Sequence, residues 1–297
     1  MLARLGVLLA TASSAWAQTV KEAPTACVNR EKTEWRQVRD ASVAGNSLHF
    51  CTGDDCWSYD LVSKNVTAIA NIPVHKPPAQ NAGSFTGPDG KKLATATETH
   101  VDFCTAPKSC KGFDYKLPNP AVNGVYPLMN DEHTLGAVMA RAETEAGKAS
   151  TLLLYDLTTG ALIKRVAEND VVVLANGFLI GNNRLFSAKM KKIGKLAVAD
   201  GGWERVGATN VLALHDTKNG TVVLQDASTA KVLARIDLGA TDPTEFWTFA
   251  VAPDGNRMYA IGSAQDEGKI VVIDTANRAL LERTSPTPCA AGTHRVN

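Results

Sequence analysis

Short runs of β-branched and apolar residues recur along the chain, most of them ending in aspartate just before a turn. The clearest is Lys269 to Asp274 (KIVVID), followed by TANRALLERT. Similar runs are Thr151 to Asp156 (TLLLYD), Thr221 to Asp226 (TVVLQD), Lys195 to Asp200 (KLAVAD) and Cys56 to Asp60 (CWSYD), each followed by a turn and a further extended run. His100 to Leu117 makes a sixth copy, in which either Cys104 or Asp114 takes the aspartate position. Apolar and polar positions alternate only imperfectly within these runs, which suits strands covered on both faces by neighbouring sheets. No segment carries a long apolar period of 3.6 residues. Pro88-Asp89-Gly90, Pro253-Asp254-Gly255, Thr159-Gly160 and Asn219-Gly220 supply turns, through the fixed φ of proline, the self-bonding side chain of aspartate and the tolerance of glycine for positive φ.

From Asp60 to Asp274 the six copies advance by 42.8 residues on average, the spacing of four-stranded blades set around an axis. One unit of this kind cannot bury its apolar faces alone, so repetition is part of the fold. The pattern predicts an all-β chain forming a single β-propeller of four-stranded blades over residues 18–297, with six blades and seven as the alternative. One step, Asp200 to Asp226, covers only 26 residues, which implies either a truncated blade or a displaced third strand there. Trp35 to Val43 is expected to supply a strand of the first blade. A strand from one terminus completing the blade of the other would close the ring without an exposed edge.

Ala252-Pro253-Asp254-Gly255, Arg257-Met258-Tyr259 and Val271-Val272-Ile273-Asp274 together resemble the YVTN-type β-propeller repeat, and through the Pro-Asp-Gly turn are similar to WD40-like and TolB-like repeats. Thr86-Gly87-Pro88-Asp89-Gly90 repeats the turn more faintly, and the other copies lack it. The resemblance implies a propeller. It transfers no activity, because such propellers include surface proteins, binding modules, lactonases and reducing enzymes.

Residues 1–17, MLARLGVLLATASSAWA, have the layout of a secretory signal peptide: Arg4, an apolar run from Leu5 to Ala12, and Ala15-Trp16-Ala17 before Gln18. No later run approaches the roughly 18 apolar residues of a membrane span. Export to the periplasm or the exterior is therefore expected. Without Arg4 the chain carries 30 basic and 30 acidic residues, interspersed along its length, so nucleic acid is not an expected partner. Six cysteines follow the leader, an even count that favours disulfides in an oxidising compartment. Cys51–Cys56 and Cys104–Cys110 read as clamps across tight hairpins. Cys27–Cys289 then remains, a bond across the meeting ends of the ring that in the chain-entropy model contributes roughly 5 kcal/mol.

Candidate chemistry is sparse. His49, His100 and His133 lie near strand ends of different blades and are the candidates for a shared metal site at the axis; no local pair has metal-ligand spacing. The chain has no C-x-x-C-H haem motif and no G-x-S-x-G elbow. Asp54-Asp55 and Asn130-Asp131-Glu132-His133 offer oxygen ligands for calcium or a sugar. Trp35, Trp57, Trp203, Trp247, Phe246 and Tyr126 are candidates for a recognition rim, with packing between blades as the plainer role. A module binding a protein or small-molecule ligand on one propeller face is expected. The alternative is a periplasmic enzyme, either a lactonase-like hydrolase or the large subunit of a quinoprotein amine dehydrogenase. The sequence names no cofactor.

Overall fold

The computed structural model describes residues 38–284 apart from 53–54, 70–78, 82, 87–91, 107–108, 119–123, 145–146, 169, 200–201, 207–208, 217, 239–245, 253 and 265–266, together with 21–22, 27–28 and 287–288. Six antiparallel sheets follow one another along the chain, and the fold is a six-bladed β-propeller. Blade 1 comprises Val38–Ala44, Ser47–Thr52, Asp55–Asp60 and Val66–Ile69, and blade 2 comprises Ser84–Thr86, Lys92–Ala96, His100–Ala106 and Ser109–Asp114, with Ala79–Asn81 added at its inner edge. Blade 3 is Val125–Met129, Leu135–Thr144, Gly147–Asp156 and Ala161–Val166, and blade 4 is Val171–Leu174, Gly177–Ile180, Arg184–Ser187 and Lys192–Lys195. Blade 5 is Trp203–Arg205, Val211–Asp216, Thr221–Asp226 and Val232–Asp237, and blade 6 is Phe246–Val251, Arg257–Ala264, Glu267–Asp274 and Ala279–Thr284.

The imperfect alternation of the third strands has a direct physical reading, because both faces of each are buried. In blade 3, Leu153 and Tyr155 pack against blade 2 while Leu152 and Leu154 pack against blade 4. In blade 6, Val271 and Ile273 meet blade 5 while Ile270 and Val272 meet blade 1. The last of these clusters, with Leu48, Phe50, Trp57 and Tyr59 of blade 1 and Tyr259 and Ile261 of blade 6, closes the ring. Burying one such side chain is worth roughly 1.5–3 kcal/mol, so closure is chiefly hydrophobic. The terminal strand does not complete a blade. Blade 6 already has four strands, and Lys21–Glu22 joins its outer strand in parallel as a fifth.

Four third strands end in an aspartate that ties the next turn. Asp60 Oδ1 accepts from the amides of Val62 (2.9 Å) and Ser63 (2.6 Å), and Asp156 Oδ1 accepts from Thr158 (2.8 Å) and Thr159 (3.0 Å). Asp226 accepts from Ser228 (2.7 Å) and Asp274 from Asn277 (2.8 Å). The fifth residue of each turn, Lys64, Gly160, Ala230 or Arg278, has positive φ. These bonds favour the carboxylate and hold all four carboxyls below their ordinary range.

Blade 4 departs from the expected assignment. Lys195 ends its outer strand, and the third strand is Arg184–Ser187. Ser187 takes the aspartate position, its Oγ accepting from the Lys191 amide at 3.2 Å. The 26-residue step disappears, since the third strands of blades 3, 4 and 5 end at Asp156, Ser187 and Asp226. In blade 2 the third strand ends at Ala106, so the corner belongs near Cys104 and not at Asp114. There the Cys104–Cys110 disulfide clamps the hairpin, and Cys51–Cys56 clamps the second hairpin of blade 1. Strand Cys27–Val28 runs parallel to Thr287–Pro288, bringing these two segments together, while the Cys27–Cys289 bond and the leader at 1–17 fall outside the described residues.

His215, in the second strand of blade 5, is 5% exposed and meets the ring of Phe249 in blade 6 edge-on, at 5.4 Å and 84°. Its Nε2 is buried without a hydrogen-bond partner among the described residues. Burial pulls its pKa below 6.5, against the opposing pull of Asp216. The unfolded chain therefore binds the proton more readily than the folded one, and stability falls as pH drops from about 6.5 through the folded pKa. Urea midpoints measured from pH 7.5 to 5 are expected to fall, and to fall less steeply in His215→Leu. Parallel slopes in the two proteins would contradict this.

Candidate functional site

Among the described residues a crevice of about 240 Å³ opens between blades 2 and 3, lined by Phe103, Thr105, Ser109, Lys111, Met129, His133, Leu157 and Thr158. One wall is the outer hairpin of blade 2, where Thr105 and Ser109 stand just inside the Cys104–Cys110 clamp. The opposite wall is built from two turns of blade 3: the one after Met129, and the one after Asp156 that its carboxylate ties. Phe103, Met129 and Leu157 are buried and form an apolar floor. Phe103 stacks tilted against Tyr155 at 5.7 Å and edge-on against Phe113 at 5.9 Å. Gly136 makes room for it, since a Cβ there would lie 2.8 Å from the Phe103 ring. Tyr155 is pushed up to about 12 by burial, so its hydroxyl keeps its proton.

The polar rim is held across the blade boundary. Lys111 Nζ of blade 2 donates to the carbonyl oxygens of Leu157 (2.5 Å) and Thr158 (3.2 Å) of blade 3. His133 has positive φ, 54°, and a buried Nδ1 without a partner among the described residues. The turn carrying it is organised by Asn130, which is 3% exposed. Asn130 Oδ1 accepts from the amides of Thr134 (2.9 Å) and Leu135 (3.0 Å), and Nδ2 donates to Thr134 Oγ1 (2.9 Å) and to the carbonyls of Leu174 (3.3 Å) and Ala175 (3.2 Å) in blade 4. Asp131 and Glu132 are bridged by Arg205, which reaches from the inner strand of blade 5 with Nη1 3.0 Å from Asp131 Oδ2 and Nη2 on Glu132 Oε1. The acidic turn thus already has a cation, and with it spans blades 3 to 5 at one end of the ring.

The three candidate histidines are not brought together. His49 lies in the second strand of blade 1, half-buried and held below 6.5 by burial. His133 lines the crevice. His100 sits on the outer hairpin of blade 2, with Nδ1 2.6 Å from Asp114 and Nε2 3.2 Å from Asp102. These carboxylates, Asp114 first, raise its pKa and engage both ring nitrogens. The ring fits because Gly112 has no side chain: a Cβ there would lie 2.9 Å from His100 and from Asp102. Among the described residues no three His, Cys, Asp or Glu gather in a way that could hold a metal ion. Trp57 belongs to the core between blades 6 and 1, Trp203 packs between blades 4 and 5, and Tyr126 packs against blade 4 with the Arg141 guanidinium 5.5 Å from its ring centre. The side chains of Trp35, Phe246, Trp247 and the Asp54-Asp55 pair lie outside the described residues. Lys111 and Arg205 carried no sequence signal, because each acts on residues more than 40 positions away.

No protein-family model and no curated protein matches the chain, so the YVTN-type likeness stays a resemblance. Several solved structures match the chain at low similarity. Hsv2 with its loop 6CD replaced by a Gly-Ser linker is 8% identical, with 86% of this chain and 83% of that one covered and a TM-score of 0.39. The dihydro-heme d1 dehydrogenase NirN in complex with DHE is 11% identical over 85% of this chain and 58% of that one, with a TM-score of 0.39. The Cps50 (Swd1) β-propeller domain of Myceliophteria thermophila is 13% identical over 83% and 88%, with a TM-score of 0.36. At these scores they decide nothing about function, and the propeller rests on the sheet topology itself.

Proposed function

We propose that this chain is a ligand-binding propeller, exported after loss of residues 1–17, and that the crevice between blades 2 and 3 is its binding site. One observation carries the reading: an apolar floor and a polar rim converge at a boundary that Lys111 and a disulfide hold in shape. Apolar lining with a few placed polar groups is the ordinary chemistry of a recognition pocket. Its volume lies below the roughly 300–1,000 Å³ of small-molecule sites. An anchoring apolar side chain of a protein partner therefore fits better than a bulky cofactor. The two hairpin disulfides support an oxidising compartment, where such clamps persist.

Small probes test the site. Indole and N-acetyl-leucine amide, titrated into isotope-labelled protein, are expected to shift the amide resonances of Thr105, Ser109 and Thr158 and to spare blades 5 and 6. Thr105→Trp, which fills the crevice from an exposed rim position, is expected to abolish these shifts while leaving the melting temperature unchanged. Shifts scattered over the ring, or persisting in Thr105→Trp, would place binding elsewhere.

A further inference from the structure

Blade 4 differs from every other blade in charge. Between Asp170 and Asp200 the chain has no aspartate or glutamate, yet it carries Arg184, Lys189, Lys191, Lys192 and Lys195. Even the corner aspartate is absent, its place taken by Ser187. Arg184 is paired with Glu168. The four lysines are exposed, and none forms an ion pair among the described residues. Lys231, exposed on the adjoining turn of blade 5, extends the patch, since the position of Gly194 abuts Ala230. A chain with a formal net charge of only +1 thus gathers one strongly positive pole on a single blade edge.

That pole flanks a strand edge that no other strand covers among the described residues. Lys192–Lys195 is the outermost strand of its sheet and no further strand pairs with it among the described residues, although its last outward carbonyl, that of Lys195, already accepts from Gln225 Nε2 of blade 5 at 2.9 Å. Lysines on an edge strand ordinarily discourage pairing, because a neutral strand laid there would bury part of their charge unpaired. An acidic strand reverses that balance, by supplying both the backbone partners and the counter-charges. The ring already extends one blade edge in this manner, for Lys21–Glu22 adds to the outer strand of blade 6 with Lys21 in register with Glu282.

We infer that the outer edge of blade 4 is a docking strand for an extended acidic segment of a partner protein, which adds to Lys192–Lys195 with its carboxylates among Lys189, Lys191, Lys192, Lys195 and Lys231. This surface is separate from the crevice, and either can fail without the other. The probe is a short fluorescent peptide alternating glutamate with valine, followed by anisotropy and by backbone hydrogen exchange on the full chain. The peptide is expected to bind, to weaken as salt rises past the screening range, and to slow exchange at residues 192–195. Joint substitution Lys189→Glu, Lys191→Glu, Lys192→Glu and Lys195→Glu is expected to weaken it by about tenfold or more. The same four positions changed to glutamine should give a smaller loss, and serve if the glutamate variant does not fold. A peptide N-methylated at alternate backbone nitrogens should lose binding. Equal binding by the N-methylated peptide, unchanged exchange at 192–195, or binding by phosphatidylserine vesicles and not by the peptide would each overturn strand addition.

Discussion

Asn130→Ala is expected to lower stability by about 3 kcal/mol, one of the two largest losses foreseen in this protein. The side chain is buried and makes five hydrogen bonds, and its removal leaves two amides and two carbonyls of neighbouring turns without their partner. Each unsatisfied buried group costs roughly 1–3 kcal/mol, offset in part where the turn relaxes toward water. The urea midpoint should fall, and exchange at Thr134 and Leu135 should accelerate. Asn130→Asp sharpens the test. A carboxylate keeps both acceptor bonds but turns an anion toward the carbonyls of Leu174 and Ala175, so the variant should regain stability as pH falls and the carboxyl gains a proton. Rising stability toward neutral pH in Asn130→Asp would contradict the assigned donor role. Because this turn follows Met129 and carries His133, both of which line the crevice, loss of Asn130 should also weaken probe binding there.

Gly177→Ala is expected to be at least as damaging. Gly177 is buried in the second strand of blade 4, and a Cβ there would stand 2.0 Å from the backbone oxygen of Phe186. The obstacle is main chain, so no rotamer change relieves it and the strand pair itself must part. Overpacking in a core usually costs about 1–3 kcal/mol, and a backbone collision lies at or beyond the top of that range. At roughly 2–4 °C per kcal/mol the melting temperature should drop by about 6–12 °C or more. Gly202→Ala is the control, because nothing lies within 4 Å of a Cβ at that position. Equal melting of the two variants would mean that blade 4 tolerates a wider spacing between these strands.

Much of the ring is legible before any coordinates. Runs such as TLLLYD and KIVVID declare strands buried on both faces, and Asp60, Asp156, Asp226 and Asp274 mark equivalent corners because a carboxylate three or fewer residues away can tie a turn. Cys51–Cys56 and Cys104–Cys110 follow from the same locality, since cysteines five or six apart across a hairpin face one another. Blade 4 departs from the pattern for a local reason as well. KLAVAD carries the right residues and the right terminal aspartate, but its Lys195 ends the outer strand of blade 4, whose true corner residue is Ser187. The site was harder to see. His49, His100 and His133 look equivalent as letters, yet one is half-buried in blade 1, one is locked between two carboxylates and one borders the crevice.

By itself the sequence determined the class of fold, the blade repeat and the two hairpin clamps, because each arises from interactions within a few residues or from a short period. Tertiary structure alone decided which faces meet: Gln225, which holds the position of Tyr59, Tyr155 and Ile273, bonds to Lys195 and Ala197 of the preceding blade, and Lys111 and Arg205 reach partners on other blades. Such contacts depend on how six sheets are rotated about one axis. A one-dimensional pattern carries the strands of that ring and not the angles between them, which is why the crevice and the basic edge of blade 4 emerge only once the ring is closed.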